Sequence, residues 1–98
     1  MKAPTSIIVT PGQTDALIEW TGDEGAYSYT VEVREPNGTW VVQRSKHFDR
    51  QLTVTGLEPD HRYEVRVTCA EEFGTGMGAR SDVYAFSSGV SDASERNV

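Results

Sequence analysis

The chain has 98 residues, 9 of them basic and 15 acidic, for a net charge of −6. That length suits one domain with a core of its own, and an acidic balance spread along the chain repels phosphate backbones, which excludes nucleic acid as a natural partner. A lone cysteine closes no internal disulfide, and no apolar run nears the roughly 20 residues that span a membrane.

Met1-Lys2-Ala3-Pro4 lacks an apolar stretch, so no secretion signal is expected there. Residues 4–11 then read as a short edge strand bracketed by prolines, which discourage unwanted pairing. Gly12-Gln13-Thr14-Asp15 is turn chemistry, and residues 16–20 form a second strand with Ala16, Ile18 and Trp20 on its inner face. Trp20 is the expected centre of the core. A loop at 21–26 leads to a third strand, 27–34, with Tyr29, Val31 and Val33 inward. Asn37-Gly38 marks a hairpin, because both residues accept positive φ. The returning strand is expected at 40–44, followed by a polar loop at 45–50 and a fifth strand, 51–55, carrying Leu52 and Val54 inward.

Residues 57–69 organise the rest. Tyr63, Val65, Val67 and Cys69 alternate with Glu64, Arg66 and Thr68, the period of a strand with one face dry and one wet. Pro59 and Asp60 turn the chain before it, and Leu57 plugs the core ahead of that turn. Tyr63 stands where a buried ring can return its hydroxyl to the turn backbone, as in the tyrosine corner of sandwich folds. Cys69 falls on the inner face and reads as a small buried hydrophobe. A loop with three alternating glycines spans 74–78, a last strand is expected at 81–86, and the segment from Ser87 onward has too little apolar content to be more than a tail.

The spacing L-x-P-x-x-x-Y-x-V-x-V from Leu57 to Val67 resembles the corner between the fifth and sixth strands of fibronectin type III domains. Trp20 on the second strand, Tyr29 on the third and Ser81 after the glycine-bearing loop extend the resemblance from about Pro4 to Phe86. An antibody-type domain would carry its tryptophan on the third strand and a disulfide between the second and sixth. The resemblance implies an all-β, seven-stranded antiparallel two-sheet sandwich. Residues 1–3 would precede the domain, 4–88 would form it, and 89–98 would be a polar tail.

No residue pattern points to catalysis, a cofactor or a metal. His47 and His61 lack ligands at suitable spacing and read as solvated surface residues. Asp23-Glu24 and Glu71-Glu72 lack a D-x-D-x-D-G pattern and read as surface acids. Asn37-Gly38-Thr39 matches a glycosylation acceptor but reads as the hairpin turn alone. No Arg-Gly-Asp occurs, which removes the integrin-binding device of some family members.

Tyr27, Phe73 and Met77 are apolar groups in or beside loops, with Arg80 as a charged neighbour. Loops on a rigid sandwich are where binding concentrates, so these four are the expected partner-binding residues. The expected function is a non-enzymatic interaction or structural module. Its sharpest form is a small accessory or decoration subunit of a phage or viral particle, located on the virion and bound to a capsid or tail protein or to another copy. The alternative is a spacer or binding module of a longer extracellular or carbohydrate-active protein.

Overall fold

The computed structural model describes residues 4–22, 28–70 and 79–89. Among them run seven strands: β1 (Thr5–Pro11), β2 (Asp15–Thr21), β3 (Ser28–Arg34), β4 (Val41–His47), β5 (Gln51–Thr55), β6 (Arg62–Ala70) and β7 (Tyr84–Ser87). One sheet has the order β1-β2-β5 and the other β4-β3-β6-β7, with every pair antiparallel. This is the all-β, seven-stranded, two-sheet antiparallel sandwich that the resemblance implies.

Pairing of β3 with β6 sets Tyr29 opposite Cys69, Val31 opposite Val67 and Val33 opposite Val65. All six are buried, as are Ala16, Ile18 and Trp20 of β2, Leu52 and Val54 of β5, and Leu57 and Tyr63 of the corner. Trp20 meets Tyr29 edge to face with ring centres 5.3 Å apart, which joins the two sheets through an aromatic pair. Gly22 lies against the same tyrosine. A Cβ there would fall 1.7 Å from the Tyr29 hydroxyl, so no larger residue fits without moving the ring.

Three local expectations are corrected. β4 begins at Val41, not Trp40, and runs on to His47 through what reads as a polar loop. Two bulges let it stay paired with β3, so that Tyr29 still meets His47 after two register shifts. The hairpin is a turn from Glu35 to Gly38, closed by Gly38 N–H donating to Glu35 O (2.8 Å), with Pro36 and Asn37 at its centre. Asn37 alone takes the left-handed conformation, at φ 64°, as the third position of a type II turn requires. β7 starts at Tyr84, three residues later than expected. Ser81 turns inward instead: its Oγ accepts from Val67 N–H (2.9 Å) and donates to Asp82 O (2.8 Å), interrupting the ladder beside β6.

Candidate functional site

β3 and β6 carry the same short pattern on their outer faces, Glu32-x-Arg34 and Glu64-x-Arg66. Antiparallel pairing sets each acid against the other strand's base: Glu32 opposite Arg66 and Arg34 opposite Glu64. Arg66 Nε reaches Glu32 Oε1 at 2.8 Å and its Nη2 reaches Oε2 at 3.3 Å, a forked contact. Arg34 Nε reaches Glu64 Oε1 at 2.7 Å. The Glu32 and Arg66 side chains are only 9% and 15% exposed, so this pair is largely out of water. The guanidinium carbons of Arg34 and Arg66 lie 4.3 and 4.2 Å from the centre of the Trp40 ring. Trp40 is thus held by two cation–π contacts on the outer face of the sheet. Exposed Val42, opposite Glu32 on β4, continues that face.

At one pole of the sandwich the corner is closed by hydrogen bonds. Glu58 N–H donates to the Tyr63 hydroxyl at 2.9 Å, the tyrosine corner that the spacing predicts. Asp60 takes φ 56° in the same turn. Ser88 adds a clasp absent from the sequence reading. Its Oγ accepts from His61 N–H (2.9 Å) and donates to Glu58 O, while its own N–H donates to His61 O (2.8 Å). Gly89 N–H donates to Gly12 O (2.6 Å) and Gly89 O accepts from Asp60 N–H (3.0 Å), tying this pole to the first turn.

Both histidines depart from the solvated reading, since each is half-buried against an aromatic ring. His61 lies 3.3 Å from Glu35 Oε2, with its ring 5.2 Å from that of Tyr63. His47 Nε2 is 2.6 Å from Gln51 O, and its ring lies 6.2 Å from that of Trp20. Neither joins a metal-ligating group, and the described residues hold no cluster of three such side chains.

Of the expected partner-binding residues, Tyr27, Phe73 and Met77 lie outside the described residues, as do the two acidic pairs. Arg80 is described: it is exposed, and its backbone bridges to Thr68 of β6. Sequence reasoning missed Trp40 with its two arginines, although the repeated E-x-R on paired strands was a usable signal. It also missed the open side of the sandwich between β4 and the corner. A groove of about 510 Å³ lies there, bordered by Val33, Val41, Gln43, Leu57 and Tyr63. Val41 at its rim is 56% exposed, and Val42, on the other face of β4, is 51% exposed.

Comparison with known proteins agrees with this architecture. The family model described as "Fibronectin type III domain" matches residues 2–86. Among solved structures, the fibronectin type-III domain of human fibronectin type III domain containing protein 3 is 21% identical. It aligns over 97% of this chain and 92% of that one, with a TM-score of 0.75. An Fn3-like protein from Clostridium thermocellum is 19% identical over 84% of this chain and 86% of that one, at a TM-score of 0.73. The fn3 domain of human contactin 1 is 16% identical over 99% of this chain and 85% of that one, at a TM-score of 0.72. At these identities the likeness is one of fold.

Proposed function

The chain belongs to the fibronectin type III family, and on that premise we propose that it is a non-enzymatic module that binds a protein partner or holds partners in place. The observation that carries this reading is the pairing of rigidity with exposed apolar groups. The outer-face charges are spent on each other and on Trp40, while Val41 and Val42 stand more than half exposed beside them. Tryptophan and arginine held in one geometry are the groups that dominate interface energies.

In its most specific form the module is an accessory subunit of a phage or viral particle, acting on the virion through Tyr27, Phe73, Met77 and Arg80. The acidic balance and small size suit a subunit that stays dispersed until many copies assemble on one surface. The alternative, a spacer or binding unit within a longer extracellular protein, makes the opposite genetic prediction. A reading frame that stops after Val98 beside capsid or tail genes supports the particle form, and one continuing into another domain overturns it. For the loop residues, the doubly substituted Phe73→Ala, Met77→Ala chain should keep its thermal midpoint yet bind its particle or partner at least about tenfold more weakly. Unchanged binding removes the loop from the interface.

A further inference from the structure

We propose that β4 is a docking edge for a short, extended, acidic and apolar peptide segment of the protein partner, which adds as a fifth strand to the four-stranded sheet. This rests on the reading of the chain as a protein-interaction module and names the chemistry of one partner segment.

The four edge strands are not equivalent. β1 carries Pro11 and a bulge after Thr5, with Ser6 at φ 54°. β7 has only four residues, and β5 is a five-residue strand without a charged side chain. Prolines, bulges and brevity all blunt an edge. β4 is bulged too, with Lys46 at φ 52°, but it has no proline, is seven residues long, begins with two exposed valines and continues into Arg44 and Lys46. With Arg50 just beyond, three of the chain's 9 basic residues fall between Val41 and Arg50, against one acid, Asp49. In a chain of net charge −6 this edge is locally basic. Among the described residues the ion pairs belong to Arg34, Arg66 and His61, so the Arg44 and Lys46 side chains hold no acid of their own.

Three features define the guest. An unpaired strand edge offers backbone donors and acceptors, which favours an extended peptide over a compact surface. Alternate side chains of an added strand would point toward the groove of about 510 Å³ beside Val41, whose border offers Val33, Leu57 and Tyr63 to apolar groups alongside the charged Arg34, Glu35 and Glu58. Arg44 and Lys46 then call for acids at the guest's other end. Antiparallel pairing makes the guest acidic toward its N-terminus and apolar toward its C-terminus. The same charges disfavour a second copy, because pairing β4 with itself brings two basic strands together. The bulges between β3 and β4 twist the edge, so the guest is short.

The test uses the intact chain and a synthetic peptide of about ten residues, acidic in its N-terminal half and valine-rich in its C-terminal half. Backbone amide resonances are followed by NMR up to millimolar peptide. Shifts should concentrate on Val41–His47, and the charge-reversed Arg44→Glu, Lys46→Glu chain should bind at least about tenfold more weakly at an unchanged thermal midpoint. A peptide with lysine in place of each acid should fail, and so should at least one of two peptides N-methylated on alternate residues, which cannot complete a ladder. The proposal is overturned if both methylated peptides bind as well as the parent, if β4 resonances stay still, or if a sulfated polysaccharide displaces the peptide and the valine half proves dispensable. That last outcome would make the edge a polyanion site. Loss of the peptide effect together with intact, Phe73- and Met77-dependent partner binding refutes this inference while leaving the interaction-module reading standing.

Discussion

The two faces of the β4-β3-β6-β7 sheet solve the same burial problem with opposite chemistry. On the inner face Val31, Val33, Val65 and Val67 are at most 4% exposed and need no partner beyond close packing. On the outer face Glu32 is 7% exposed, nearly as buried, but its charge is tolerable only because Arg66 forks onto it and Trp40 covers the guanidinium. Apolar burial is non-directional, so the inner face tolerates small rearrangements. The outer face depends on geometry, because a charge out of water without its partner is strongly unfavourable. The inner face therefore supplies most of the stability, and the outer face supplies a rigid, specific surface.

Breaking the inner side should have the largest effect. Trp20→Ala removes the ring that joins the sheets and should destabilise by about 3–5 kcal/mol in denaturant titration. A loss below about 1 kcal/mol would mean that the core closes without it. On the outer side, Arg66→Leu should cost about 2–3 kcal/mol, less than for a fully buried pair because both side chains keep some access to water. Replacing both members, Glu32→Leu with Arg66→Leu, should return stability to within about 1 kcal/mol of the parent. If the double variant is as weak as the single one, the pair contributes net attraction and the contrast between the faces is smaller than drawn here.

Trp40→Leu comes next, at about 1–2 kcal/mol, since two cation–π contacts and part of the ring's buried area are lost. Measured without the arginines, as in Arg34→Leu, Arg66→Leu, the same substitution should cost clearly less; equal costs would assign the effect to area alone. The smallest change is Tyr63→Phe, which keeps the packing and leaves Glu58 N–H without its acceptor. It should cost about 0.5–1.5 kcal/mol, read as a shift in thermal midpoint. An unchanged melting curve would mean that water takes over the hydroxyl's role.

The inner face was readable from sequence because strand alternation is local. Tyr63 through Cys69 announce their own orientation, and Leu57-x-Pro59 announces the corner. The extra length of β4 was not readable, because bulges trade polarity pattern for pairing with β3, and residues 45–47 look like loop when read alone. The late start of β7 has a similar cause, since Ser81 substitutes a side-chain hydroxyl for a ladder contact. Trp40 was read as a strand residue because its partners are 6 and 26 positions away in the chain. Even so, the matching E-x-R patterns on β3 and β6 would have predicted the charge ladder once those strands were paired. For the proposed binding site, sequence reasoning offered Tyr27, Phe73, Met77 and Arg80 from their placement in or beside loops, and the first three lie outside the described residues. The structure shows Val41 and Val42 exposed and Trp40 held by its arginines, an arrangement that depends on which sheet edge stays uncovered.

The clasp at Ser88 and Gly89 bears on how the chain folds as it is made. Gly89 bonds to Gly12, so the first turn and the last described residue must be present together before that pole can close. During vectorial synthesis β1 and β2 emerge before β6, and the clasp on the corner waits for Ser88 and Gly89 to leave the ribosome. Until they arrive that pole lacks the bonds they supply, even where β1 has already met β2. Such non-local closure belongs with folding in milliseconds to seconds, not microseconds. Prolines at the first edge would protect the growing chain through that interval.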